Sequence, residues 1–228
     1  MSNLASYIDH TILKADASAK DIEKLCAEAR AHRFATVCVN GSRVALAAHL
    51  LEDSGVKVAA VVGFPLGAMD GDAKRYETEA AIDAGAGEID MVINIGKLKE
   101  GDDASVLREI RDIVEAADER AVKVIIETCL LTREEKIRAC HLVLDSGAQF
   151  VKTSTGFSTG GATLDDVKLL REIVGPKFGV KASGGIRDYA TACAMIAAGA
   201  TRLGTSNGVA IVQGAPASAP ASAPPQSY

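Results

Sequence analysis

Short apolar runs dense in Val, Ile and Phe recur along the chain, separated by longer stretches that mix charge with apolar residues. One phrase repeats: a helical stretch, a small residue with Gly, then a β-rich run. It reads EDSGVKVAAVVG, DAGAGEIDMVIN, DSGAQFVKTS and AAGATRLGTS. Glycine just past a helix takes the left-handed conformation that ends it. The runs that follow lack the polar alternation of a half-solvated strand, which is how strands of a parallel sheet covered on both faces read. Eight strands are predicted, at 7–11, 34–40, 57–63, 88–94, 122–128, 150–154, 179–183 and 201–205. Helices are predicted at 18–31, 42–51, 72–84, 103–118, 133–145, 163–173 and 187–198. Caps support them: Asp16 and Ser18 at the first, Thr132 with Glu135 as a capping box, and Asp165 in the sixth.

Eight strands alternating with helices over this length make a (β/α)8 TIM barrel of the α/β class. An open doubly wound sheet is the alternative, but it would use fewer strands, and no G-x-G-x-x-G follows the first one. The barrel is expected to fill residues 1–213. Residues 215–226, APASAPASAPPQ, are almost all Ala, Pro and Ser, so 214–228 is expected to be a flexible tail.

Composition narrows the function. A net charge of −5 argues against a nucleic-acid surface. No run approaches the roughly 18 apolar residues of a membrane span. The N-terminal MSNLASYIDHTILK lacks the apolar stretch of a signal peptide. Five dispersed cysteines without a C-x-x-C pair suit reduced thiols in the cytoplasm. The four histidines show no metal-ligand spacing, so neither a metal nor a cofactor is expected.

Candidate chemistry sits at the strand ends, where a barrel places its catalytic groups. In order these are Asp9, Cys38, Asp90, Glu127, Lys152, Lys181 and then Gly204 to Asn207. Any one such charge alone reads as a satisfied buried ion pair or a solvent-facing strand end. Two lysines ending the sixth and seventh strands are different, because adjacent strands lie about 4.8 Å apart. Repulsion and burial together push one of them toward the neutral amine, a nucleophile suited to Schiff-base chemistry. The alternative is that the pair binds phosphate as point charges. Glycine-bearing loops after the last three strands (STGF with GG at 160–161, SGG at 183–185, GTSNG at 204–208) favour a phosphorylated substrate. Asp9 and Thr11 are candidates to meet a substrate hydroxyl. Thr153 and Thr155 either hydrogen-bond an intermediate or satisfy strand-end backbone. Cys38 reads as core, although an aldehyde could react there, and Glu127 as a partner for a lysine.

The residues IDHT, TVCVN, VVGFPLG, ETEAAI, EIDMVINIGKLK, VKTSTGF, KASGGI and RLGTS occur in that order from about Tyr7 to Val212. With them the chain resembles the deoxyribose-phosphate aldolases, class I Schiff-base aldolases on a (β/α)8 barrel. The resemblance implies reversible cleavage of 2-deoxyribose 5-phosphate to glyceraldehyde 3-phosphate and acetaldehyde. It implies Lys152 as the Schiff-base lysine, Lys181 as the ammonium that depresses its pKa, and Asp90 acting with a water in proton transfer. It further implies that the loops holding Gly156, Gly184, Gly185, Gly204 and Ser206 take the phosphate, with Thr155 and Asn207 beside them. Some members carry Lys where this chain has Phe157 and Ser where it has Asn207, which implies a weaker grip on phosphate.

Two other readings use some of the same residues. A pyridoxal-phosphate enzyme also wants a lysine and a phosphate cup, but no partner for the pyridinium nitrogen is evident. A non-catalytic sugar-phosphate sensor would not need two lysines and an acid. Partners are thus expected to be a sugar phosphate and acetaldehyde, with no nucleic acid or membrane, and a homodimer is a possible assembly. Tyr228 ends the tail and is either a free terminus or a proton relay dipping into the barrel mouth.

Overall fold

Successive residues of a strand face opposite ways, and in this chain the two directions carry different chemistry. The computed structural model describes residues 4–214. The Ala/Pro/Ser-rich tail and Tyr228 lie outside the described residues. Eight parallel strands close in sequence order into a barrel. They are β1 (Ile8–Thr11), β2 (Thr36–Val39), β3 (Lys57–Val62), β4 (Glu88–Val92), β5 (Ala121–Ile125), β6 (Phe150–Lys152), β7 (Gly179–Ser183) and β8 (Arg202–Thr205). The fold is the expected TIM barrel.

Most outward positions are apolar, with His10 and Thr205 of the β1–β8 pair the polar exceptions. Val37, Ala60, Ile89, Met91, Val122, Val124, Val151, Val180 and Leu203 join one continuous core with the helices around them. The helices are α1 (Ala19–His32), α2 (Val44–Leu50), α3 (Gly71–Asp83), α4 (Ile95–Glu100), α5 (Asp103–Ala116), α6 (Arg133–Asp145), α7 (Leu164–Val174), α8 (Tyr189–Ala197) and α9 (Gly208–Val212). Each long helix turns a 3.6-period stripe inward, such as Ile22, Leu25, Cys26 and Ala29 of α1. Burying one such Leu or Ile side chain stabilises by about 1.5–3 kcal/mol.

Inward positions divide in two. On the β2–β3 side, Leu13, Cys38, Ala59 and Val61 form a small apolar cluster against Phe64. The remaining strands bring in Asp9, Glu88, Asp90, Lys123, Lys152 and Lys181, all buried, and the half-buried Arg202. The strands therefore do alternate in polarity, with the polar residues inside the barrel, contrary to the expectation of uniformly apolar runs. The alternation is masked in the sequence because the polar residues face the barrel interior, and not solvent, and are themselves flanked by apolar neighbours.

Several boundaries differ from those predicted. β5 ends at Ile125 rather than at 128, so Glu127 lies beyond it, in the left-handed region at φ 53°. β4 ends at Val92, and Asn94 instead caps the short α4 by accepting from Lys97 N–H at 3.1 Å. Lys152 ends β6 as expected, but Lys181 sits at the centre of β7. The cap of α7 is Thr163, which accepts from Asp166 N–H, and Asp165 is in the first turn where its charge suits the helix dipole. Helices α4 and α9 were not predicted, being too short to display a period. The Thr132–Glu135 capping box is present. Among the described residues no helix is long and apolar enough to cross a membrane.

Candidate active site

The closed register builds the site from distant sequence. Parallel pairing places Asp90 beside Lys123, Lys152 beside Lys181, and Lys181 beside Arg202. Asp90 is the hub. Its Oδ1 accepts from Lys123 Nζ at 2.6 Å, and its Oδ2 accepts from both Lys152 and Lys181 at 2.6 Å. Lys181 also pairs with Asp9 Oδ2 at 2.5 Å, and Lys123 with Glu88 at 2.7 Å. Arg202 closes the lower end, donating to Asp9 at 2.7 Å and Glu88 at 3.0 Å while its guanidinium lies over the Phe150 ring. Gly204 makes room for this packing, since a Cβ there would lie 2.8 Å from Ser183 Cβ and 3.2 Å from Lys181 Cε.

The charge count decides the chemistry. Asp9, Glu88 and Asp90 bring three carboxylates, while Lys123, Lys152, Lys181 and Arg202 bring four cations. Fully ionised, this buried network carries one uncompensated positive charge, which low-dielectric surroundings penalise. Lys152 is the member that yields. Burial lowers its pKa, and repulsion from Lys181 adds to this against the attraction of Asp90. Burial acts on Lys181 as well, but Asp9 and Asp90 outweigh it and hold Lys181 above the usual lysine range. Lys123 is likewise raised, its burial overcome chiefly by Asp90. Burial would raise the Asp90 carboxyl, yet the three lysines hold it well below the ordinary range. The two lysines singled out in the sequence are thus shifted in opposite directions: burial lowers both, and the carboxylate of Asp9, which pairs with Lys181 alone of the two, makes the difference.

Other residues fall elsewhere than expected. Asp9 is fully buried and engaged by Lys181 and Arg202 rather than open at the mouth, and the Thr11 hydroxyl donates to the Asp9 carbonyl at 2.8 Å. Glu127 pairs with no lysine. Its carboxylate accepts from the Thr155 hydroxyl at 2.5 Å and from the Thr155 N–H at 3.3 Å. Thr153 exchanges hydrogen bonds with the Ser183 backbone, accepting from its N–H at 3.1 Å and donating to its carbonyl at 3.2 Å, so it satisfies strand-end groups. Cys38 is core, with a thiol pushed up by burial. Gly204 is inside β8, not in a loop, and its role is the packing described above.

The mouth has a polar and an apolar side. Gly156 and Gly185 take positive φ within the loops after β6 and β7, and Gly184 (φ 89°) crosses so close to Gly161 that a side chain on Gly161 would strike the Gly184 carbonyl at 2.3 Å. Ser206 and Asn207 are exposed beyond β8, with the Asn207 N–H bonded to Thr205 Oγ1 at 2.9 Å. Next to Gly156, Phe157 meets Phe64 edge to face at 5.2 Å. A surface hollow of about 470 Å³ between the start of α3 and α5 holds none of these residues.

Sequence reasoning missed Glu88, Lys123 and Arg202. The signal for each was a charged residue with apolar neighbours in a strand predicted to be covered on both faces.

Comparison with known proteins agrees with this geometry. Residues 3–214 match the model of the DeoC/LacD family aldolases. The chain is 64% identical over 211 residues to a deoxyribose-phosphate aldolase of Alkaliphilus oremlandii, covering 92% of this chain and 95% of that one. It is 60% identical to the enzyme of the same name from a Geobacillus species, covering 93% and 96%. Among solved structures, the aldolase QR15 aligns with a TM-score of 0.90 at 39% identity, over 93% of this chain and 96% of that one. The tetrameric deoxyribose phosphate aldolase of Aeropyrum pernix aligns at 0.87 and 35%, over 92% and 89%. By its motifs, its barrel and these matches, the chain belongs to the DeoC/LacD family of aldolases.

Proposed function

We propose that this chain is a deoxyribose-phosphate aldolase, a carbon–carbon lyase that reversibly cleaves 2-deoxy-D-ribose 5-phosphate to D-glyceraldehyde 3-phosphate and acetaldehyde. The observation that carries the mechanism is the surplus cation of the buried network, relieved at Lys152, the lysine that ends its strand. Neutral Lys152 attacks the aldehyde carbon of the opened sugar, and the carbinolamine takes up a proton through a water held at Asp90 and loses water to become a protonated imine. That cation stands where an ammonium would, facing Asp90 Oδ2, and restores the surplus charge, so the network favours its collapse to the neutral enamine. Deprotonation of the sugar's 3-hydroxyl then breaks the C2–C3 bond, and the electron pair flows into the imine to give an enamine. Proton return to the enamine and hydrolysis release acetaldehyde and free Lys152.

Asp90, fixed by Lys123 and Lys181, orients the Lys152 nitrogen and, with a water, carries protons to and from the imine and enamine. Lys181 stays charged and keeps Lys152 from doing so. The phosphate is taken by the backbone around Gly156, Gly184 and Gly185 together with Ser206 and Asn207, whose amides and short polar groups suit an anion. Five free cysteines favour a reducing compartment, the cytosol.

Borohydride trapping with acetaldehyde tests this reading. A reduced two-carbon adduct is expected on Lys152 by peptide mass spectrometry, absent from Lys152→Leu, which also loses turnover. Turnover without any adduct on Lys152 would overturn it.

A further inference from the structure

Five non-glycine residues among those described have positive φ: Arg33, Asp53, Asp118, Glu119 and Glu127. The first four are exposed, whereas Glu127 is buried, just past the catalytic end of β5. Left-handed backbone costs an ordinary residue on the order of 1 kcal/mol, and here it turns a carboxylate inward without an ion-pair partner. Every group bonded to that carboxylate is a neutral donor: the Thr155 N–H and O–H, and the Cys129 thiol.

This fixes a directed chain of hydrogen bonds. A carboxylate only accepts, so the Thr155 hydroxyl must point its proton at Glu127. The lone pairs of Thr155 Oγ1 are then left to accept, and they do so from the Phe157 N–H at 3.1 Å. Residues 155 and 157 are thereby tied down on either side of Gly156, which turns through φ 86°. The Gly156 N–H itself makes no hydrogen bond among the described residues. Nothing else from the β5 end reaches Thr155 through a side chain except Glu127.

We infer that Glu127 is a positioning residue for the phosphate group of the substrate: it holds the 155–157 turn so that the Gly156 amide faces the anion. The inference rests on the aldolase reading above and adds to it a specificity device outside the lysine–carboxylate network. Glu127 touches no reacting atom. Its removal leaves Lys152 and Asp90 bonded as before, withdraws a more distant negative charge that acts on Lys152, and slackens the turn that grips phosphate.

The test compares 2-deoxyribose 5-phosphate with 2-deoxyribose in steady-state kinetics. Glu127→Ala is expected to raise KM for the phosphorylated sugar about tenfold, the effect of losing one buried acceptor. Its kinetics with 2-deoxyribose should stay within about twofold of the unsubstituted enzyme. Glu127→Gln is expected to restore the phosphate preference, because its amide oxygen still accepts from Thr155. Equal losses with both sugars in Glu127→Ala, or a Gln variant as impaired as the Ala variant, would overturn the inference. If Glu127→Ala lacks a cooperative thermal transition, Thr155→Val replaces it. That substitution cuts the link to Phe157 N–H and must give the same phosphate-selective loss, and unchanged kinetics with both sugars would count against the inference. Failure of the underlying reading looks different: the unsubstituted enzyme itself would then show no advantage for the phosphorylated sugar.

Discussion

The two faces of the barrel strands divide the work between them. On β4, Ile89 and Met91 point outward into an apolar shell shared with the helices, while Glu88 and Asp90 point inward to meet Lys123, Lys152, Lys181 and Arg202. The same few residues of one strand serve both. The shell obtains stability from area removed from water, which needs only size and apolarity. The interior replaces such packing with ions whose desolvation costs about as much as their pairing returns. A barrel of this kind invests stability on one face so that the other can hold an unbalanced set of charges, and in the proposed mechanism the imbalance makes Lys152 the nucleophile.

The sharpest way to break that division is to change neighbours on opposite faces. Asp90→Asn removes the acceptor shared by three lysines. Turnover is expected to fall about 10³-fold or more, since proton transfer and the support of the imine go together, and unfolding free energy to drop by about 3–5 kcal/mol as paired charges lose their partner. Ile89→Ala should lower stability by about 2–5 kcal/mol and leave turnover per folded molecule nearly unchanged. Urea titration with kinetics at 25 °C reads both. Comparable loss of turnover in the two variants would mean that the faces are not separable.

A smaller effect tests the charge count. In Lys181→Leu the interior holds three carboxylates and three cations, so balance is reached only with Lys152 protonated. Its lowered pKa must then rise, and the acidic limb of the pH–rate profile, which follows appearance of the neutral amine, must move to higher pH. At neutral pH activity should fall by about 10- to 100-fold and recover partly in alkali. An unmoved limb with a lower plateau would assign Lys181 to direct proton transfer instead.

The shell was more legible in the sequence than the interior, for a physical reason. Four repeated helix–Gly–strand phrases, with four further apolar runs, announce eight local strands, and each can be read without knowing its neighbours. Lys152 was legible because it ends β6, and Lys181 because its phrase repeats that of Lys152, although Lys181 and Asp90 lie mid-strand in β7 and β4 as Lys123 does in β5. Lys123 and Arg202 occupy the middle and start of their strands, where a charge reads as a solvated strand edge. Only closure of the barrel carries them to Asp90 and Asp9. Glu127 was visible as a candidate, but its partner was not. Whether β5 ends at 125 or 128 decides which way its carboxylate faces, and apolar pattern does not mark that boundary in VIIET.

The smallest predicted effect separates charge from geometry within the interior. Arg202 lies at the end of the network away from Lys152 and bridges Asp9 and Glu88 through one guanidinium nitrogen. Its plane also rests on Phe150, 5.4 Å from the ring centroid. Arg202→Lys keeps the charge but replaces a planar fork with a shorter, compact ammonium that cannot reproduce both bonds and the ring contact. Stability is expected to fall by about 1–2 kcal/mol from those lost contacts. The count of four cations against three carboxylates is unchanged, so the pressure on Lys152 to lose its proton persists. The pH–rate profile should therefore superimpose on that of the unsubstituted enzyme, with kcat within about threefold. A displaced acidic limb in this variant would show that placement of charge, and not its sum, sets the state of Lys152, because Arg202 would then have acted on it through the positions of Asp9 and Lys181.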